Sequence, residues 1–274
     1  MHLGYNTNGF AHHALEDAID ILAGLGYAAI ALTPDVHHLP FNEDQYAEID
    51  LTRCRLEHHK MKCVIETGAR FLLDSKRKHQ PTLLTPTKDE RDFRRDVLED
   101  HIDLAKGLGV EVVSFWSGTS LTDEAPSVLM TRLVDECKSL GDHAASRSVK
   151  IAFEPEPGMF IDTMDKFAEL FEKVNHPAFG LTIDVGHLVC LDELPISKHL
   201  LAWKHVLWNV HLDDMKRGIH DHLAFGGGDV DFNDLFAGMK AAKFSGIASV
   251  ELSRHSYDAV NVATQSQAFL RQFT

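Results

Sequence analysis

Residues 209–232 read NVHLDDMKRGIHDHLAFGGGDVDF. A short apolar run, Val206 to Val210, delivers His211 to a loop carrying Asp213, Asp214, Arg217, His220, Asp221 and His222 ahead of three consecutive glycines. Imidazoles and carboxylates at this density suit a metal ion, because both coordinate one once deprotonated. One loop cannot enclose an ion, so other apolar runs must also end on a ligand. Three do: Ile151-Ala-Phe-Glu154, Leu181-Thr-Ile-Asp184 followed by His187, and Ile247-Ala-Ser-Val-Glu251.

Outward from these four ends, short apolar runs alternate with amphipathic stretches along the whole chain, the pattern of repeated β-α units. Earlier strands are expected at Leu3 to Asn6, Ala28 to Leu32, Cys63 to Ile65 and Val110 to Phe115. Helices are expected after Leu15, with Gly24 and Gly26 as stop signals, at about Glu43 to His59, at Lys88 to Leu108, from Asp162 or Thr163, and near Ile196 to Lys204. Eight such units in 274 residues predict a single-domain (β/α)8 TIM barrel over residues 1–274, with its chemistry at the C-terminal ends of the strands. A doubly wound open sheet is the alternative, but it would gather only the ends beside its switch point. The long polar connection after Glu66, with Arg70 and the run Lys76-Arg77-Lys78, exceeds an ordinary turn and suggests a lid, a solvated loop being the plainer reading of the basic run.

Composition narrows the partners. With 27 basic and 41 acidic residues the formal charge is −14, which disfavours a nucleic-acid backbone as partner. The N-terminus has no secretory leader and no run approaches the roughly 20 apolar residues that span a bilayer, so a soluble, cytoplasmic protein with no membrane partner is expected. Cys54, Cys63, Cys137 and Cys190 lack any C-x-x-C pairing and are expected to be buried free thiols. Among 18 histidines, the pairs His12-His13, His37-His38 and His58-His59 are expected on the surface or in loops.

Glu154, Asp184, His211 and Glu251 make a hard, oxygen-rich donor set suited to Mn²⁺, Mg²⁺, Co²⁺ or Zn²⁺. A lone acidic strand end can equally cap the next helix or pair with a lysine; four in consecutive units point to a metal. His187, three residues past Asp184, could contact substrate oxygens, donate a proton, or join His220 and His222 around a second metal.

The segments FEPEPG, DVGH, HLDD with GGGDVDF, and VELS together resemble the xylose-isomerase-like superfamily of sugar isomerases and epimerases, which also contains apurinic endonucleases of the endonuclease-four type. The resemblance runs along the barrel and is strongest from Glu154 to Glu251. It implies that these four strand-end residues hold a divalent metal, that Glu154 and Glu251 also transfer the proton beside a substrate carbonyl, and that His187 and Arg217 contact the sugar. Glu156, Trp116 and Glu66 are expected pocket residues. The implied activity is a metal-dependent sugar isomerase or epimerase acting on a sugar, polyol or keto compound, by proton transfer or hydride shift. Two alternatives stay open: a metal-dependent phosphodiesterase like the endonucleases, and a sugar-binding barrel without turnover. Against the first, those endonucleases carry further metal histidines at earlier strand ends, where this chain has Glu66-Thr67 and Trp116-Ser117, and His220 stands where they have an aspartate. The sequence does not fix the substrate, whether it is phosphorylated, or whether the chain forms a homo-oligomer.

Overall fold

In the computed structural model, which describes residues 1–39, 45–68 and 70–273, eight parallel strands close into a barrel. In chain order the elements are β1 (His2–Asn6), α1 (Leu15–Leu25), β2 (Ala29–Leu32), α2 (Gln45–His59), β3 (Lys62–Glu66), α3 (Lys88–Leu108), β4 (Val112–Phe115), α4 (Pro126–Arg147) and β5 (Lys150–Phe153). There follow α5 (Met164–Val174), β6 (Phe179–Asp184), α6 (Val185–Cys190), α7 (Ile196–Trp203), β7 (Leu207–Leu212), the hairpin β8 (Asp214–Lys216) and β9 (Ile219–Leu223), α8 (Phe232–Ala242), β10 (Ile247–Val250) and α9 (Ala259–Leu270). The closed order is β1-β10-β7-β6-β5-β4-β3-β2. Closure rules out the open sheet and carries the ends of β5, β6, β7 and β10 to one rim.

Alternation along the strands sorts side chains between two environments. Phe115, Phe153 and Phe179 pack with one another and with Phe167 of α5, forming an aromatic seam between barrel and helices. The other face is polar: Ser114 Oγ lies 2.9 Å from Thr182 Oγ1, joining β4 to β6 across the interior. Asp184 pairs with His211 in the β6–β7 register, and Ser249 with His211 in the β10–β7 register, so the ligand-bearing ends are level.

Helix signals read from the sequence fall where expected. Thr163, rather than Asp162, caps α5, its Oγ1 accepting from Lys166 N at 3.3 Å. Gly26, at φ +90°, ends α1, whereas Gly24 lies inside it. Residues 43 and 44, the expected start of α2, lie outside the described residues.

Several expectations are corrected. The histidine stretch is not all loop: β8 and β9 pair antiparallel around Arg217-Gly218, and the two-residue alternation of β9 gives His220 and His222 a common face. Helix α6 begins directly at Asp184, so β6 passes into a helix without a connecting loop. His38 is buried, its Nε2 3.1 Å from the His13 carbonyl oxygen, because residues 35–38 fold back as a tight bridge. Cys137 and Cys190 are buried free thiols, but Cys63 is half-buried and Cys54 exposed on α2. The connection from residue 67 to 87 is anchored by buried Leu83 and Leu84 and by Thr82, whose side chain packs against Gly118. No helix among the described residues is long and apolar enough to cross a membrane.

Gly180 of β6 shows how closely the barrel wall is packed. A Cβ there would lie 2.6 Å from the Trp208 ring and 2.6 Å from the Val206 carbonyl oxygen. Gly180→Ala should therefore lower the unfolding free energy by about 1–3 kcal/mol, read as a shift in urea midpoint at constant m-value. A shift within about 0.5 kcal/mol would mean that β7 yields without cost.

Candidate metal centre

The four strand-end ligands converge. One donor atom from each of Glu154, Asp184, His211 and Glu251 lies within 4.8 Å of all the others. His211 Nδ1 is the focus, 2.8 Å from Glu251 Oε2, 3.0 Å from Glu154 Oε1 and 4.0 Å from Asp184 Oδ2. Ligand atoms about 2 Å from a central ion are separated by up to roughly 4.5 Å, so this spacing fits a cation. Asp184 divides its work: Oδ1 accepts from His187 N at 2.9 Å and caps α6, while buried Oδ2 has no hydrogen-bond partner among the described residues and faces the cluster. One oxygen of the carboxylate thus caps the helix and leaves the other available for coordination.

Glu66, expected as a pocket residue, lines the cavity but reaches His211 from behind. His211 Nε2–H donates to Glu66 Oε1 at 2.9 Å, and Asn209 Nδ2 donates to the same oxygen at 2.8 Å. A carboxylate on the far nitrogen fixes tautomer and ring orientation and strengthens the near nitrogen as a ligand. Asn8 Nδ2 holds Glu251 through Oε1 at 3.0 Å, leaving Oε2 toward His211. Asn209 and Asn8 went unnoticed as sequence. For Asn209 a signal existed, since Asn209-x-His211 puts both side chains on one face of a strand.

The charges respond to this crowding. Burial raises the Glu154 carboxyl to about 7, offset in part by His211 and reinforced by Glu251 and Asp184. Loss of solvation and the charges of Glu154 and Glu251 push half-buried Glu156 well above its ordinary value. Burial also opposes ionisation of Glu251, but His211, His222 and Asn8 outweigh it and hold that carboxyl low. His211 is raised well above its usual range: burial opposes its charge, and Glu66, Glu154 and Glu251 favour it more.

His187, His220 and His222 form a second cluster with their own donor atoms within 4.8 Å of one another. His187 Nε2 lies 3.1 Å from His220 Nε2, and His187 Nδ1 donates to the Pro155 carbonyl at 3.2 Å. His222 Nδ1 is 2.7 Å from Oδ2 of fully buried Asp213. Asp213 can stand there only because residue 186 is glycine, since a Cβ would come within 2.3 Å of its Oδ1. Burial lowers His187 to about 4; burial also opposes the charge on His222, but Asp213, Asp184 and Glu251 together raise it to about 10.

A cavity of about 330 Å³ opens over both clusters. Glu66, Trp116, Glu154, Glu156, His187, His211, His220, His222 and Glu251 line it, together with Arg70, Lys78, His79 and Arg254. Arg217 is not brought there: its side chain is 61% exposed and pairs with Asp192 at 3.1 Å. A larger hollow of about 960 Å³ lies at the opposite end, around His2, Lys62, Val112 and Ile247, where the strands begin. Barrel chemistry sits at the other rim, and among the described residues the gathered ligand sets are all there.

Residues 19–273 match the family model described as xylose isomerase-like TIM barrel. The L-ribulose-5-phosphate 3-epimerase of Salmonella paratyphi C is 26% identical over 157 residues, 57% of this chain and 55% of that protein, so the match spans about half of the relative's length. A D-psicose 3-epimerase from Clostridium cellulolyticum H10, solved with D-tagatose, superposes with TM-score 0.78 at 15% identity over 100% of this chain and 99% of that one. A protein named IOLI, solved with a zinc atom, gives TM-score 0.78 at 18% identity over 100% and 99%. At these identities the two structures show a shared fold.

The position of Glu66 behind His211 carries its own test. Glu66→Gln should weaken binding of Mn²⁺ or Zn²⁺, measured by isothermal titration, about 10- to 100-fold. Unchanged affinity would remove Glu66 from the support of the centre.

Proposed function

The chain belongs to the xylose isomerase-like TIM barrel family, and from that premise we propose that it is a divalent-metal-dependent isomerase or epimerase, moving a proton beside the carbonyl of a sugar or sugar-like keto substrate. The observation that carries this reading is the convergence of three carboxylates on His211 Nδ1, with Asp184 Oδ2 buried and unpartnered. That donor set fits Mn²⁺, Mg²⁺, Co²⁺ or Zn²⁺. The sugar epimerases among the similar proteins support the same chemistry.

A bound divalent ion supplies positive charge beside the carbonyl oxygen, where negative charge builds as the neighbouring carbon loses its proton. The protein supplies the rest. Glu154 and Glu251 enter from β5 and β10, with β6 and β7 between them, and so face a substrate from two sides. One removes the proton and the other returns it, which is what inversion at a carbon requires. His187 and Glu156 offer polar contacts to substrate hydroxyls, and Trp116 gives the cavity an apolar wall that excludes water.

Glu154→Gln and Glu251→Gln should each slow exchange of a substrate C–H proton with D₂O by about 10²- to 10⁴-fold, followed by NMR on a panel of ketoses, and chelation should do the same. Undiminished exchange in both variants would sink proton transfer by these glutamates. Isomerisation without solvent exchange in the unmodified protein would instead identify a hydride shift.

The convergence of His187, His220 and His222, backed by Asp213, favours a second reading in which a second ion makes the site a phosphoester hydrolase. Elemental analysis of tag-free protein purified without chelator separates the two. One Mn, Mg, Co or Zn per chain is expected for the isomerase. Two or more Zn per chain, falling by one in His220→Ala, would bring hydrolysis to the front.

A further inference from the structure

The basic run singled out in the sequence is divided by the fold. Arg77 turns to Asp74 and Glu90, its Nε 2.6 Å from Asp74 Oδ2 and its Nη2 3.1 Å from Glu90 Oε1. Lys78 instead lines the cavity over the metal centre, beside Arg70 and His79. The backbone that presents them is pinched shut: His79 N donates to the Arg70 carbonyl at 2.6 Å, and both residues hold left-handed conformations, φ +23° at Arg70 and +63° at His79. Non-glycine residues keep such angles only where the surroundings enforce them, and such positions gather at ligand clamps. Asp74 closes the turn from the other side, its Oδ1 accepting from Lys76 N and Arg77 N at 2.8 and 3.0 Å.

Behind this wall stands a third cation. Arg94 is 1% exposed, lies 4.8 Å over the Trp116 ring, and donates from Nη2 to the Thr67 carbonyl at 3.4 Å, with Nη1 unpartnered among the described residues. The His79 ring meets the same indole edge-on at 5.0 Å, and its buried Nδ1 likewise has no hydrogen-bond partner among the described residues. Burial lowers His79 to about 4, helped by the charges of Lys78, Arg94 and Arg70, so all three cations bear on one point. Among the described residues, none of the three forms an ion pair with a carboxylate, in a chain whose net charge is −14 and whose other cavity-lining arginine, Arg254, is matched to Asp221. A buried, unpaired arginine is costly, and an anion arriving in the cavity would offset that cost.

We infer that the substrate carries an anionic group, a phosphate or a carboxylate, which is held by Arg70, Lys78 and His79 while the reacting carbonyl end lies at Glu154 and Glu251. The assignment rests on the sugar-isomerase reading and narrows it to a charged keto sugar. Guanidinium and ammonium donors suit either anion, with charge-assisted bonds about twice as strong as neutral ones. The group takes no part in proton transfer, so it sets binding and register rather than the chemical step.

The test compares kcat/KM for a neutral ketopentose, its 5-phosphate and a keto sugar acid, in the unmodified protein and in Lys78→Ala and Arg70→Ala. Phosphate as the group predicts that the ester is preferred and that each variant lowers its kcat/KM about tenfold more than that of the neutral sugar, mostly through KM. The same pattern with the sugar acid assigns a carboxylate. Preference for the neutral sugar, or equal losses on all three substrates, would overturn the inference. Titration of the metal-loaded protein with inorganic phosphate at fixed ionic strength gives an answer independent of turnover. If no sugar reacts, the isomerase reading fails; phosphate affinity about tenfold weaker in both variants still sustains the anion wall, and unchanged affinity removes it.

Discussion

His211 Nδ1 faces Glu154, Asp184 and Glu251 at once, and protons on protein groups alone do not satisfy that arrangement. Two carboxylates about 4 Å apart repel by roughly 4 kcal/mol at an effective dielectric near 20, and one imidazole N–H answers at most one or two oxygens. The strain shows in opposite responses: Glu154 is raised to about 7 while Glu251 is held low. A divalent ion held by these four residues would resolve the conflict by giving every oxygen a positive neighbour. The cluster persists because each member ends a different strand, and the ladder of a closed barrel holds those ends together whether or not the side chains attract.

The segment His211-Leu-Asp-Asp214 shows how closely the chain divides its duties. His211 aims at the centre, Leu212 is fully buried, and Asp213 turns to the histidine cluster through His222. Asp214 never reaches either cluster. Its carboxylate accepts from Met215 N at 3.0 Å, Gly226 N at 2.8 Å and Val230 N at 3.1 Å, and so ties the glycine triplet back under β7. Gly228 is part of that arrangement, since a Cβ there would come within 2.3 Å of Asp214 Oδ1 and 2.5 Å of Met215 N. The glycines therefore serve backbone packing beneath the histidine hairpin.

What could be read from the sequence was what repeats or alternates. Eight apolar runs bounded by amphipathic helices define the barrel, and a ligand at the end of each of four such runs defines its centre. The sequence could not show what approaches from another element. Glu66 lines the cavity as expected, but its hydrogen bond with His211 Nε2 spans 145 residues of chain, and Asn8 touches Glu251 across 243. The resemblance implied a sugar contact for Arg217, but the β8–β9 turn carries it outward to Asp192. Lys78 and Arg77 are neighbours of identical charge, and only the loop's closure shows that one is neutralised while the other faces the cavity.

The cavity combines opposite charges: carboxylates and the histidine cluster line it, and so do Arg70, Lys78 and His79, with Trp116 in its wall and Arg94 over the indole. Such a field does more than attract a ligand. The proposed proton transfer would depend on presenting one carbon to two glutamates within a few tenths of an ångström, and a flexible polyol can slide along a uniformly polar groove without loss of contacts. In the proposed arrangement a molecule negative at one end and reactive at the other is oriented by the cationic residues, because reversal would take its anion away from Arg70 and Lys78. Holding one end of the substrate at the glutamates and the other at the cations would require two rigid walls. The closed strands fix the first wall; the left-handed pinch between Arg70 and His79, anchored by buried Leu83 and Leu84, fixes the second.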